Sequence, residues 1–374
     1  MPDHSSSGVT IPARIAGSLS ILFLYDVSDE IRLEDLREIL KLPPAGREPP
    51  FRHPAPEYVQ FDRPPVGEPA RTSVLVAGEQ IHGRVSYYAY GVVSFNLVIP
   101  FEAPWDEIIS LSARWMNTLE LEQRAAEVVE QHLRAAAPAL VNPYAEKLSE
   151  DYYIIHLQRM CDERQNPITA AALIESCGAS IAQIVRGEPA HFSPAEQAEI
   201  LESRMSYYDT DLLVVGWTAA VVYDTPEGAV PTLQLLEYAN TQLLEFRHYD
   251  AVLSRLLSEM YGKLERRAGF LRRWRLAGEA ERLNTIRLEV RELTERVDNS
   301  IKFLSDMFAA RLYRMAATKI GVPDYRTLVE QKLESAADLY EFMMNGFYQS
   351  RAFLLELMVV VILIIELVFL FRGK

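Results

Sequence analysis

The chain is poor in cysteine and in positive charge, and both shortages narrow what it can be. Only Cys161 and Cys177 occur in 374 residues, with no CxxC spacing. That argues against a disulfide framework and a cysteine-built zinc site; the pair reads as two reduced thiols in a reducing compartment. Net charge is −14, which argues against nonspecific nucleic-acid binding, because phosphates call for a basic face. No two of the seven histidines lie three or four residues apart, so a helical His-pair metal site is missing. His156, inside an apolar run, reads as a satisfied core histidine. There is no Walker loop and no GxGxxG: Gly262-Lys263 has no upstream glycines, and Gly178-Ala-Ser180 lacks the second glycine of a nucleophile elbow. Asp209-Thr210-Asp211 supplies two carboxylates, too few for a metal site alone, and reads as a solvated strand entry. No catalytic residue, metal or cofactor is therefore assigned, and the chain reads as non-enzymatic.

The N-terminus does not read as a secretory leader. Its apolar run at 19–25 is short, follows no basic cluster and leads into Asp26 and Asp29. By contrast, one long hydrophobic run is present. Residues 352–371, AFLLELMVVVILIIELVFLF, contain no Gly or Pro and two charges. At about 1.5 Å per residue the run reaches roughly 30 Å, the hydrocarbon thickness of a bilayer. It reads as a transmembrane anchor over 351–372, flanked by Arg351 and Arg372, with the bulk of the chain cytoplasmic and a bacterial inner membrane as its location. Two carboxylates, Glu356 and Glu366, fall inside it. Intramembrane carboxylates are rare, and these two read either as groups that snorkel or pair between helices, or as parts of an ion path.

Upstream, the pattern is α+β. Residues 1–17 read as disordered. An apolar run over 18–27 is a predicted strand, followed by a helix capped by Asp29. Nine prolines within 43–69 preclude regular structure there and leave a surface loop or a polyproline ligand. Strands are expected at 72–77 and 84–99, the latter a hairpin turning near Gly91, then a long helix over 104–135. The order returns as a strand at 151–159, helices at 168–176 and 194–203, a strand pair within 206–223 and a long helix over 232–264. Arg84-Val-Ser-Tyr-Tyr88 recurs as Arg204-Met-Ser-Tyr-Tyr208. These features predict two duplicated βαββα, ferredoxin-like units at 18–140 and 141–268.

Beyond Gly278 the pattern is helical. Leu283, Ile286, Val290, Leu293 and Val297 form a heptad seam, Gly321 and Pro323 break the helix, and a second seam runs from Val329 to Phe347. A helical hairpin stalk over 277–350 is expected, its second helix continuous with the anchor. Residues 263–275 hold six cations, Lys263, Arg266, Arg267, Arg272, Arg273 and Arg275, around Phe270 and Trp274. They read as a solvated turn, or as a contact for anionic lipid or RNA phosphates.

The charged helix RLNTIRLEVRELTERVDNSIKFL, the break, and a helix passing Arg351 into LLELMVVVILIIEL together resemble the family named "required for meiotic nuclear division", also called YagE-like. Acidic residues near the start and end of its last span match Glu356 and Glu366. The resemblance implies a domain of unknown function with no established reaction, membrane-anchored and homo-oligomeric, whose mitochondrial members support organellar translation. The function expected is thus a tail-anchored scaffold or tether. The alternative is an oligomeric ion channel of the magnesium-transporter type, which also stacks an α/β domain, long helices and a C-terminal membrane region.

Overall fold

A computed structural model describes residues 11–42, 64–76, 79–116, 118–265, 285–288, 290–292, 294–295 and 307–372. The chain divides into two units, Met1–His248 with Glu295–Tyr325, and Tyr249–Thr294 with Arg326–Lys374.

The first unit is built on one sheet. Its strands are β1 (Ile15–Ile31), β2 (Val66–Pro69), β5 (Gly83–Tyr87), β6 (Val92–Ala103), β7 (Leu140–Gln158), β8 (Arg204–Met205), β9 (Leu212–Val215) and β10 (Ala219–Asp224), in spatial order β2-β5-β6-β1-β7-β10-β9-β8. The short strands β3 (Val74–Val76) and β4 (Glu79–Ile81) pair separately. Neighbours in the large sheet are antiparallel except β7 and β10, which run parallel. The helices of this unit are α1 (Leu33–Leu40), α2 (Trp105–Trp115), α3 (Leu119–Ala136), α4 (Ala170–Arg186), α5 (Pro194–Glu202), the first half of α6 (Pro226–Glu265) and α7 (Met307–Ile320).

β1 is apolar on both faces because it is covered on both. Alternate side chains point to opposite faces of a strand. Leu19, Ile21, Phe23 and Tyr25 enter one core, together with Leu36, Ile108, Trp115, Val128 and Ile181 from helices α1 to α4. Leu22, Leu24 and Asp26, equally buried, take the other face. There α6 supplies the contacts: His248 Nδ1 lies 2.5 Å from Asp26 Oδ2, Arg247 pairs with Glu150 of β7, and Tyr90 bonds Thr241 at 2.6 Å between hydroxyls.

This arrangement corrects the expectation of two duplicated ferredoxin-like units. β1 and β7, the first strand of each supposed repeat, pair with each other at the centre of the single sheet, for example Leu22 with Tyr152. The halves also differ in sense, since β6 lies antiparallel to β1 whereas β10 lies parallel to β7. The shared RxSYY is not equivalent either. Tyr87 and Tyr88 are buried at the end of inner strand β5, while Tyr207 and Tyr208 are 46% and 57% exposed in a turn beyond edge strand β8. Smaller differences have local causes. β1 runs on to Ile31, so the N-cap of α1 is Arg32 and not Asp29, whose carboxylate instead accepts Asn142 Nδ2 at 2.8 Å. The helix expected over 104–135 divides between Trp115 and Leu119.

α7 ends at Gly321, whose φ of +99° suits a residue without Cβ, and α8 (Val322–Arg372) begins immediately. α7 is not one free arm of a stalk: Ala309, Leu312, Tyr313, Ala316 and Ile320 are buried, and Lys319 pairs with Glu199 of α5 at 3.1 Å. Within the second unit, Lys332 of α8 bonds Asp250 and Ser254 of α6 at 2.5 and 2.6 Å.

Among the described residues no helix is long and apolar enough to cross a membrane. Where its side chains are described, over 355–372, the apolar run carries three charges in 18 residues, Glu356, Glu366 and Arg372. The transmembrane anchor falls with this finding. So do the membrane as a partner, the bacterial inner-membrane location, the tail-anchored scaffold and the magnesium-transporter-type channel.

Candidate functional site

The parallel pair positions the site. In open parallel α/β sheets ligands bind in the crevice outside the carboxyl ends of the strands, and this largely antiparallel sheet has one parallel pair, β7 and β10. β7 ends at Gln158 and β10 at Asp224, so Arg159 and Asp224 emerge side by side. Arg159 Nη2 donates to Asp224 Oδ1 at 2.6 Å, and its backbone N–H to the Asp224 carbonyl at 3.0 Å. His156 Nε2 donates to that same carbonyl at 3.1 Å, and burial lowers its pKa, keeping the ring neutral. His156 is thus a satisfied core histidine, as its apolar surroundings in the sequence imply.

The chain then turns directly into α6. Asp224 Oδ1 also accepts the Thr225 N–H at 2.7 Å, and Thr225 Oγ1 accepts the Gly228 N–H at 3.0 Å, capping the helix. Pro226 suits the first helical position, where an N–H would have no partner. Gly228 is there for space: a Cβ would lie 2.4 Å from Asp224 Oδ2. Pro231, inside the second turn, has no N–H, so the Glu227 carbonyl lacks its usual helical donor.

The opposite wall is the turn before β9. Asp211 Oδ1 and Oδ2 accept the N–H groups of Tyr207 and Tyr208, each at 2.8 Å. Burial raises its pKa against the pull of those two bonds. The rings so held are stacked edge to face: Tyr207 and Tyr208 centroids lie 4.7 Å apart at 84°, and Tyr207 and Phe308 of α7 4.8 Å apart at 70°. Leu235 and Leu312 add apolar lining, and Tyr223 closes the floor, its hydroxyl donating to the Ile168 carbonyl at 2.9 Å. The crevice, half open to solvent, has a volume of about 710 Å³, within the usual range for small-molecule sites. Its described charged lining residues are Arg159, Asp211, Asp224 and Glu227. Among the described residues no cluster of His, Cys, Asp or Glu is fit to hold a metal.

Of the residues singled out in the sequence as membrane or lipid contacts, those whose side chains are described, Glu356, Glu366 and Arg372, do not line this crevice. Glu356, Glu366 and Arg372 are exposed on α8. The side chains of Arg351 and Lys263 lie outside the described residues, as do Arg266, Arg267, Arg272, Arg273, Arg275, residues 43–63 of the Pro-rich stretch and residues 1–10. The rest of those two stretches departs from expectation: 66–69 is strand β2, at the sheet edge where proline is tolerated, and β1 begins at Ile15, inside the segment expected to be disordered. Both cysteines are free, and burial pushes the Cys177 thiol up to about 11. Of the crevice residues, Asp211 stands out in the sequence only as half of a D-x-D, and the tyrosines only as part of a repeat. Arg159 and Asp224 carry no motif. The readable signal is Thr225-Pro226-Glu227 directly after an apolar strand, a helix start at a strand end.

An α/β domain with a ligand-sized crevice where its parallel strands end is the class that fold and site define. The chain belongs to the family of the N-terminal domain of uncharacterized protein MJ0711, whose model matches residues 16–229. That range holds Arg159, Tyr207, Asp211, Asp224 and Glu227 and stops short of Phe308. The chain is 22% identical over 170 residues to uncharacterized protein MJ0711 of Methanocaldococcus jannaschii, a match over 46% of this chain and 52% of that protein. The chain therefore spans about half the length of the curated relative it matches. No solved structure matches.

Proposed function

We propose that this chain is a non-enzymatic binding protein whose first unit takes up a small organic molecule in the crevice between the ends of β7 and β10 and the start of α6. The observation that carries this reading is a half-open crevice of about 710 Å³ whose polar groups are largely committed to one another. Asp224 is committed to Arg159 and Thr225, Thr225 to Gly228, and Asp211 to the Tyr207-Tyr208 turn. No His, Cys, Ser or Lys is among its described lining residues, and two of its three described carboxylates, Asp211 and Asp224, are already engaged in hydrogen bonds. We further propose that the chain is a divergent relative of the YagE-like family. The helix break at Gly321 and the placing of Glu356 and Glu366 support that kinship, and the family match at 16–229 does not reach them.

Thermal-shift screening of the purified chain against a panel of small metabolites tests the binding role. Stabilising compounds are expected, and their effect should vanish in Val230→Trp, which fills the crevice from a 46%-exposed position on α6 without touching the core. Hits that stabilise Val230→Trp equally would place binding elsewhere and sink the reading.

A further inference from the structure

The face of the sheet beneath α6 holds a histidine–aspartate contact built on an irregularity of the sheet, and none of its members lines the crevice. We propose that this contact is a proton-dependent latch that fastens the middle of α6 to β1 and β7, closed at mildly acidic pH and loosened above neutrality.

The strands prepare a socket for the histidine. β1 and β7 pair in register as far as Asp26 with Leu148, and again from Ser28 with Pro143. Between these pairs β1 has one residue, Val27, whereas β7 has four, 144–147. The surplus forms a bulge, and bulges re-aim side chains. Here the bulge carries Tyr144 over the imidazole of His248, with ring centroids 4.7 Å apart and planes 14° from parallel. It is fastened independently of α6. Asn142, whose φ of +48° is one that asparagine tolerates, donates from Nδ2 to Asp29 Oδ2 at 2.8 Å, and the Tyr144 hydroxyl donates to the same carboxyl group. On β1, Asp26 Oδ2 meets His248 Nδ1 at 2.5 Å.

The socket works only while the pair holds a proton. Asp26 is 1% exposed, and its Oδ1 has no hydrogen-bond partner among the described residues. A buried carboxylate is costly unless a cation balances it. Arg247, next along α6, is committed to Glu150 and lies 5.8 Å from the Tyr325 ring; the group in contact with Asp26 is His248. With one proton the pair is either carboxylate and imidazolium or carboxylic acid and imidazole, both without net charge. Without it, a bare carboxylate remains in the interior. Burial raises the Asp26 pKa against the pull of His248, as this scheme requires. The other titratable and charged groups around the pair are Asp29 of β1, Tyr144 and Glu150 of β7, Glu245 and Arg247 of α6, and Tyr325 of α8. Burial keeps the Tyr144 hydroxyl neutral. Three carboxylates against one guanidinium also favour retention of the proton.

The direction of the effect follows. In the unfolded chain an imidazole gives up its proton near the ordinary value of about 6.5. The folded pair, which needs the proton in either of its forms, holds it to higher pH. The latch therefore adds stability that is fully present below about pH 6.5 and is lost as pH rises through the pair's own value. Access suits this role. The His248 side chain is 20% exposed, so its proton can exchange with solvent while α6 stays on the sheet.

Hydrogen–deuterium exchange of the full chain at about pH 6 and about pH 8, corrected for the intrinsic pH dependence of amide exchange, tests the latch. Amides of residues 240–248 are expected to lose about tenfold in protection at the higher pH, relative to those of α4. His248→Gln does not titrate in this range and Asp26→Asn removes the buried charge, so each should lose most of that difference. Glu237→Gln, which removes the other buried carboxyl with a raised pKa on α6, should keep it. Equal protection of 240–248 at both pH values in the native chain overturns the proposal, whether or not the socket variants fold. A difference that disappears in Glu237→Gln, or persists at full size in His248→Gln or Asp26→Asn, assigns it to another group and overturns the proposal as well.

Discussion

At the scale of single residues, the crevice depends on a glycine and the opposite face of the sheet on a buried acid. A Cβ at position 228 would lie 2.4 Å from Asp224 Oδ2, so Gly228→Ala must push the carboxylate off Arg159 and the Thr225 N–H. Crowding of this kind costs about 1–3 kcal/mol, and denaturant melts should show a loss in that range together with lost ligand stabilisation. Glu237, on α6 against β5 and β6, behaves differently. Burial raises its pKa, partly offset by the hydroxyls of Ser94 and Tyr88, and its Oε1 is sealed from solvent. A carboxyl with a higher pKa folded than unfolded holds its proton more tightly in the folded chain. Its contribution to stability is fully present below the ordinary value of 4.5 and is lost as pH rises through the raised value. Glu237→Gln should therefore melt above the native chain at about pH 8, and the gap should close below about pH 4. A constant gap across that window would show that Glu237 does not titrate there.

At the scale of elements, much was legible because much is local. Alternating and helical patterns locate β1, α1, the β5–β6 hairpin, α4, α5, the β9–β10 pair, α6 and the break at Gly321. The order of the strands was not legible: β1 finds β7 more than a hundred residues away, and no local pattern records that register. The site was hidden for the same reason. Arg159 and Asp224 meet only because β7 and β10 lie parallel, whereas Asp211 and the tyrosine pair were visible but read as a solvated strand entry and as part of a repeat. A further link was equally silent in the sequence. Arg71 N–H donates to His132 Nε2 at 3.1 Å, which puts the ring proton on Nδ1, and Nδ1 donates to Glu68 Oε1 at 2.7 Å. The Tyr87 hydroxyl donates to the same oxygen at 2.9 Å. His132 is fully buried, so this network ties edge strand β2 to β5 and α3. His132→Ala would leave Glu68 with Tyr87 and Arg71 but take the acceptor from the Arg71 N–H and open a cavity, and should cost about 1–3 kcal/mol, read from urea melts. A loss under about 1 kcal/mol would mean that solvent reaches Glu68 freely.

At the scale of the whole molecule, the decisive fact is that two halves that look alike in sequence share one sheet. β1 pairs with β6 on one side and β7 on the other, and its side chains are buried on both faces, under α1 to α4 on one and α6 on the other. Cutting the chain between Ala139 and Leu140, where β7 begins, would leave β1 as an unpaired edge with two apolar faces, one of them stripped of α6. Exposed flat apolar edges of this sort aggregate rather than persist as folded domains. Fragments 1–139 and 140–374 should each lack a cooperative thermal transition by near-ultraviolet circular dichroism, whereas co-expressed they should reassemble and melt as one. Ferredoxin-like repeats would behave in the opposite way, since each would close its own sheet and core. A sharp independent melt of fragment 1–139 would therefore mean that β1 can cap its own half, and that the pairing of Leu22 with Tyr152 is an interface between finished domains and not the centre of a single fold.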